Sequence, residues 1–135
     1  MKHHDPTEYM PDILITERDE QKILSFIPVM KDRNTARYLL SELERARVVE
    51  DRNLPNTVVR MGSTVTYLIN GQSRRTVKVV YPGEADLEQN RLSVLTPVGA
   101  ALIGMSSGQS TWYEGPDSRP HRLSVVTVIP SDTTN

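Results

Sequence analysis

The three residue types of a serine hydrolase triad occur in this chain in the order Ser, Asp, His. Residues 104–108 match G-x-S-x-G around Ser106, and Asp117 and His121 follow as an acid and a base. The motif needs a strand before the serine and a helix after it, because that strained turn exposes the nucleophilic oxygen. The local pattern here predicts the reverse, a helix followed by a strand. The sequence therefore argues against a hydrolase, and we predict no catalytic residue.

A second group that could do chemistry is an acidic run in which Glu84, Asp86 and Glu88 alternate with other residues. Carboxylate oxygens are the ligands that hard divalent cations prefer, but a calcium loop needs more of them at a fixed spacing. Carboxylates two residues apart in a loop normally face water. His3 and His4 likewise have no further ligands around them for a zinc site. We expect no metal and no cofactor.

The composition excludes several classes of function. The 135 residues carry a formal net charge of −1, and 37% of them are hydrophobic, as in ordinary soluble proteins. This balance leaves no electrostatic footprint for nucleic acid or for an anionic membrane, and we expect no direct sequence-specific nucleic acid partner. Cysteine is absent, and no apolar run has membrane-spanning length. We expect a cytoplasmic monomer, with residues 1–11 and 131–135 as loose ends.

The elements that must position these groups centre on residues 80–108. Leu92–Leu95 predicts a brief strand, which Pro97 cannot continue as a central strand. Pro97 suits the first turn of a helix with Thr96 as N-cap, since the N–H group of a first-turn residue has no intrahelical partner. The residues that follow are apolar nearly all round, so this short helix is expected to be buried.

Around that helix, period-two alternation predicts a sheet over residues 55–135. Asn70-Gly71 is typical of a type I′ hairpin turn, which needs positive φ at both central residues. Further strands are expected at Thr76–Tyr81, Ser110–Glu114 and Leu123–Ile129. The prediction is an antiparallel sheet of four to five strands with one short helix against it.

Residues 1–54 predict a helical arm. Thr16 and Asp19 have the spacing of a capping box ahead of the first helix. The second helix is expected from Asn34 or its neighbour to about Val48. Two apolar stripes joined by a short turn are typical of an antiparallel helical hairpin, so the predicted fold class is α+β.

Several motifs in order resemble the C-terminal domain of the bacterial Gre transcript-cleavage factors. Gly83–Asp86 match an acidic E-A-D loop, Leu92–Val94 a short strand and Thr96–Gly104 a Pro-containing helix, while Val59–Val65 match the entry into that domain. The resemblance is greatest to the Rnk branch, the regulators of nucleoside diphosphate kinase, and covers nearly the whole chain. It implies an FKBP-like topology for residues 55–135 and a non-enzymatic transcription regulator that binds RNA polymerase near its secondary channel.

The resemblance also implies where the partner would bind. In the Gre family the loop that enters the Pro-containing helix is implicated in polymerase binding, and its counterpart here is Leu95-Thr96-Pro97. The surface loop with Glu84 and Asp86 is a second candidate for docking. Leu95 stands where the family often has an acidic or polar residue. It would supply apolar contact area if it is exposed, and the alternative is that it belongs to the core.

The tip of the helical hairpin bears on transcript cleavage. Gre factors resemble a long coiled coil that presents acidic tip residues to the catalytic magnesium of the polymerase. Here each predicted helix spans about 20 Å, and the tip residues Lys31, Asp32 and Arg33 offer one carboxylate between two cations. Opposite charges on both sides favour an ion pair over a metal ligand. We therefore expect no stimulation of transcript cleavage.

An FKBP-like topology raises a second class of function, a peptidyl-prolyl isomerase or a peptide-binding module. Its pocket would need aromatic walls, and the chain has one Trp, one Phe and five Tyr. Trp112 and Tyr113 are neighbours on one predicted strand, so their side chains face opposite sides of the sheet. Because fold alone does not carry an activity, the isomerase stays the alternative.

Overall fold

The structure, a computed structural model, describes residues 10–131, so the expected loose ends at residues 1–9 and 132–135 lie outside the described residues. The helices are α1 (Glu17–Phe26), α2 (Arg33–Arg45) and α3 (Pro97–Leu102), and the strands are β1 (Leu14–Thr16), β2 (Arg47–Val49), β3 (Thr64–Ile69), β4 (Ser73–Val80), β5 (Arg91–Ser93), β6 (Ser110–Glu114) and β7 (Pro120–Ile129). The predicted α+β class, with a hairpin-like pair of helices ahead of a sheet, is confirmed.

The main sheet has five strands in the order β5-β4-β3-β7-β6. Strands β3 and β4 are joined at Asn70 (φ 55°) and Gly71 (φ 73°), and the Gln72 N–H donates to the Ile69 carbonyl over 3.0 Å. The positive φ at both central residues confirms the hairpin turn. The prediction of a purely antiparallel sheet is wrong, because β5 pairs with β4 in parallel. Residues 81–90 return the chain to a point before the end of β4, so β5 runs in the same direction as β4.

Helix α3 forms as its local sequence predicts. The Thr96 hydroxyl accepts a hydrogen bond from the Gly99 N–H over 3.1 Å, and Pro97 occupies the first turn. A Cβ atom at position 99 would overlap the Ser93 carbonyl oxygen, so only glycine lets the helix approach β5 so closely. Gly99, Ala100, Ala101 and Leu102 are buried. The expected burial of this helix is thereby confirmed.

The second helix ends earlier than predicted. We expected it to reach about Val48, but α2 ends at Arg45, and residues 47–49 form β2, parallel to β1. The β-branched pair Val48-Val49 favours extended backbone, and Val48 pairs with Ile15. A β1–α1–α2–β2 unit therefore replaces a simple hairpin.

One hydrophobic core joins the helices to the sheet. Ile23 of α1 and Leu39 of α2 are fully buried in the same cluster as Val79 of β4, Leu102 of α3 and Leu123 of β7. The helices and the sheet thus share one core. No helix of the described residues is long and apolar enough to cross a bilayer.

A buried carboxylate ties α1 to the sheet. Asp19 is 6% exposed, and its carboxylate accepts from the Met61 N–H over 3.2 Å and from the Tyr81 hydroxyl over 3.1 Å. The Asp19 N–H donates to the Thr16 hydroxyl, as the N-cap spacing predicts. The side chain, in contrast, bonds across the fold instead of completing a capping box.

Candidate functional site

The hairpin tip and the candidate docking loop meet at one cleft. This cleft, of about 300 Å³, lies between the start of α2, the start of α3 and the turn after β6, and we call it the tip cleft. Asp32 and Tyr38 line it from the α2 side, Pro97 from α3, and Tyr113 and Glu114 from β6. Two candidate regions that are far apart in sequence therefore form one surface.

Asp32 acts as the N-cap of α2. Its carboxylate accepts from the Thr35 hydroxyl over 2.6 Å and from the Thr35 N–H over 3.1 Å. The hydrogen bond from the Thr35 hydroxyl, followed by that from its N–H, holds the pKa of Asp32 below its usual value. The carboxylate therefore stays ionised.

The expected ion pairs at the tip are not formed. Among the described residues, Asp32 makes no ion pair with Lys31 or Arg33. The Arg33 guanidinium instead donates to the carbonyl oxygens of Ile27 (2.8 Å) and Met30 (3.0 Å). The reason is that the backbone groups at the helix ends need partners, and the two side chains supply them.

The docking loop is held in shape by its own hydrogen bonds. The Leu95 N–H donates to the Ser93 hydroxyl over 3.0 Å, and the Thr96 hydroxyl donates to the Ser93 carbonyl over 2.7 Å. Leu95, Thr96 and Pro97 are each half-buried. Leu95 packs against the core with one part of its side chain and exposes the other, so it is neither wholly core nor wholly surface.

The acidic loop lies at the other end of β5. Glu84 and Asp86 are exposed, each beside a short 3₁₀ turn, Pro82–Glu84 or Leu87–Gln89. The Asp86 carboxylate accepts a hydrogen bond from the Glu88 N–H over 3.1 Å, so it caps the turn Leu87–Gln89. Within residues 10–131, no group of three or more His, Cys, Asp and Glu side chains is placed to hold a metal ion.

Two tyrosines give the tip cleft its aromatic walls. The Tyr38 hydroxyl lies 3.5 Å from the Trp112 carbonyl oxygen, and burial raises the pKa of Tyr38 above its usual value. Tyr113 is buried while Trp112 lies half-buried on the opposite side of β6, as the alternation predicts. Sequence reasoning missed Tyr38 because nothing in the local pattern of α2 shows that its ring meets β6.

The hydrolase-like residues have structural roles. Ser106 forms an isolated antiparallel β-bridge with Val58. It follows α3, so a helix precedes the serine, as predicted. The His121 Nε2 lies 3.0 Å from the Asp117 carboxylate, and its Nδ1 lies 3.0 Å from the Asn70 amide nitrogen. The hydrogen bond with His121 is the main reason that the pKa of Asp117 is lowered. These contacts join the β6–β7 turn to the β3–β4 hairpin.

The fold and the surface around α3 define a protein of the GreA/GreB type. The profile of the family described as "Transcription elongation factor, GreA/GreB, C-term" matches residues 54–130. The chain belongs to this family. The solved structure of the prokaryotic transcription elongation factor GreA/GreB from Nitrosomonas europaea is 30% identical with a TM-score of 0.71, and the match covers 90% of this chain and 100% of that one.

Within the family, the resemblance to the Rnk branch is confirmed. The "Regulator of nucleoside diphosphate kinase" of Escherichia coli (strain K12) is 35% identical over 121 residues, which cover 86% of this chain and 88% of that protein. The "Transcription elongation factor GreA" of Hyphomonas neptunium is 36% identical over 76 residues, or 56% of this chain and 48% of that protein. The chain thus spans about half of that GreA. These relatives support a role as a transcription-factor-like regulator.

Proposed function

We propose that this protein is a non-enzymatic regulator that binds RNA polymerase near its secondary channel through residues 55–135. The observation that carries the proposal is the rigid, half-exposed loop Leu95-Thr96-Pro97 beside the tip cleft. Pre-formed loops lose little conformational freedom on binding, so their contact energy is retained. The proposal includes an FKBP-like topology for the sheet, a cytoplasmic location and a monomeric state.

The charge of the tip cleft supports a partner with basic side chains. Asp32 contributes a carboxylate, Glu114 lines the cleft at the end of β6, and no cation is among the lining residues that the structure describes. Tyr38, Tyr113 and Pro97 add apolar surface between those charges. A lysine or arginine of the partner would meet opposite charge and an aromatic face there. Glu84 and Asp86 extend the same acidic character to the far end of β5.

We also propose that the protein does not stimulate transcript cleavage. Helices α1 and α2 have 10 and 13 residues, and at about 1.5 Å per residue they are too short for a long projecting arm. The carboxylate of Asp32 at the tip is already occupied by Thr35. Adding the protein to backtracked polymerase should leave cleavage at background. Robust cleavage that is lost in Asp32→Ala would overturn this part.

The docking proposal is tested by combining Leu95→Glu with Thr96→Arg and measuring binding to core polymerase. We expect binding to weaken at least tenfold, roughly 1.4 kcal/mol. Leu95→Glu removes apolar contact area, and Thr96→Arg sets a cation against the basic partner and removes the cap that holds the loop in shape. The matched control is Leu24→Glu with Ser25→Arg on the exposed side of α1, which makes the same chemical changes away from the cleft.

The outcomes of this test are separable. Intact binding by a double variant that melts like the wild type would place the docking surface elsewhere. If the double variant melts early, Glu84→Lys with Asp86→Lys tests the second candidate, because both side chains are fully on the surface. Wild-type affinity in that variant as well would refute docking at either end of β5.

A peptidyl-prolyl isomerase remains the second candidate, and the aromatic walls of the tip cleft favour it. Tyr38 and Tyr113 line a space of about 300 Å³, which is at the small end of ligand pockets. A prolyl-peptide turnover assay separates the two functions. Turnover that is lost in Tyr113→Ala while polymerase binding persists would favour the enzyme.

A further inference from the structure

The side of the five-stranded sheet that faces away from α3 forms a separate surface, which we call the outer sheet face. On β3 and β4, Val65, Tyr67, Val77 and Val79 are buried, so the side chains that alternate with them point outward. The Thr66 and Thr76 hydroxyls lie 2.8 Å apart across these strands. Ser110 and Ser124 make the same contact across β6 and β7. The face is therefore rich in hydroxyl groups, and Leu68 and exposed Ile129 lie among them.

Cations dominate the outer sheet face. Its exposed charged side chains are Arg74 and Lys78 on β4, Arg91 on β5, Arg122 on β7 and Glu114 on β6. Exposed Asp86 of the acidic loop forms a backbone β-bridge with Arg91 at the edge of this face. Lys78 is paired in register with Arg91, so the two positive charges lie side by side. Among the described residues, none of the four cations forms an ion pair. The whole chain has a net charge of −1, so positive charge is concentrated here.

Trp112 places an aromatic ring on the same face. It pairs in register with Arg122 and is half-buried, with its ring on the side of β6 opposite Tyr113. Arg91 is level with Thr64 in the register of the sheet, whereas Trp112 is level with the residue after Ile69. Four strand spacings of about 4.8 Å also separate β5 from β6, so the two residues lie at opposite corners of the face, more than about 19 Å apart. A groove of about 470 Å³ runs beside Arg74 along the part of β4 that β5 does not cover.

We propose that the outer sheet face binds single-stranded nucleic acid without sequence preference. The cations would neutralise phosphates, and the indole of Trp112 would stack against a base, which is how single strands are commonly held on open sheets. An acidic peptide would use the cations, but Asp and Glu side chains carry no aromatic ring to stack on the indole. An anionic membrane would favour more exposed apolar side chains than this hydroxyl-rich face offers.

The proposal is tested by fluorescence anisotropy with labelled oligouridylate and oligothymidylate at low and physiological salt. Arg74→Gln, Lys78→Gln and Arg122→Gln together should weaken binding about tenfold or more and reduce the salt slope by about 2, given three lost phosphate contacts. The matched control is Arg18→Gln, Arg37→Gln and Arg47→Gln, which removes equal charge from exposed positions on the helices and β2. That control should bind as the wild type does.

A second measurement needs no variant, because Trp112 is the single tryptophan of the chain. Stacking of a base should quench its fluorescence in proportion to the bound fraction. Equal loss of binding in both triple variants, or no quenching on binding, would overturn the proposal. Equal affinity for poly-glutamate or for phosphatidylserine vesicles would also overturn it, since the face would then be a general polyanion surface. Polymerase binding through the docking loop should be unchanged in the triple variant, so the two proposals fail separately.

Discussion

The contact between Asp19 and Tyr81 predicts that α1 contributes directly to the stability of the sheet. Asp19→Ala leaves the Met61 N–H and the Tyr81 hydroxyl without their acceptor. Hydrogen bonds to charged groups contribute about 1.5–3 kcal/mol each, and Tyr81 is half-buried, so we use the lower end. The expected loss in the free energy of unfolding is about 2–3 kcal/mol.

A double-mutant cycle isolates the pair. Tyr81→Phe should cost about 1–2 kcal/mol, and the double variant should cost less than the sum of the two, with a coupling energy of about 1 kcal/mol. The assay is urea unfolding followed by circular dichroism, with the free energies compared at equal m-values. The backbone N–H of Asp19 still donates to Thr16 in every variant, so the helix cap is preserved.

The control and the refuting result are equally specific. Glu17→Ala removes one carboxylate from the same first turn at an exposed position, where it faces the helix dipole and accepts one exposed hydrogen bond from Gln21. It should cost less than about 1 kcal/mol. If Asp19→Ala were no worse than Glu17→Ala, or if Asp19→Ala and Tyr81→Phe were additive, the carboxylate would not hold α1 to the sheet.

Three further predictions concern the sheet, α3 and alkaline pH. Gly71→Val should destabilise the protein by about 1 kcal/mol or more, because Gly71 has φ 73° and lies in open space, so the cost is backbone strain alone; an unchanged melting temperature would contradict the hairpin. Gly99→Ala should cost about 1–3 kcal/mol through overlap with the Ser93 carbonyl, whereas Gly83→Ala, with no atom near its Cβ, is the neutral control in the same thermal scan. Burial, followed by the Asp19 carboxylate, raises the pKa of Tyr81 above 10.0; stability should therefore be intact below pH 10 and fall as pH rises further, since the unfolded chain ionises first. Tyr81→Phe should lessen that fall in a pH series of urea unfolding curves, and an identical slope would refute the assignment.

The elements that sequence reasoning predicted are those specified by a few adjacent residues. Thr96 and Pro97 define the start of α3, and Asn70 and Gly71 define the hairpin, because a cap and a turn depend on local hydrogen bonds and φ angles. The predicted end of α2 was wrong because Val48 pairs with Ile15, which is far away in sequence. The parallel pairing of β5 was missed for the same reason, since no local pattern gives the direction of a strand.

The tip cleft could not be predicted because it forms only where three distant segments converge. Asp32, Pro97 and Glu114 lie on separate elements, and each has a sufficient local explanation by itself, as a cap, a first-turn proline and a strand end. Tyr38 was part of an unremarkable helix until the fold placed it against β6. Candidate residues could thus be identified singly, while their shared surface required the tertiary structure.

That shared surface bears on our proposal that the protein binds polymerase without promoting cleavage. In the Gre-type arrangement that the sequence resemblance implies, the length of a coiled coil would separate the docking domain from the acidic tip. Here the apolar stripes of α1 and α2 are buried in the common core through Ile23 and Leu39. Asp32 consequently lines the same cleft as Pro97 of the docking loop. Docking through that loop would hold the tip at the binding surface, and the arm would serve to shape the surface for a partner.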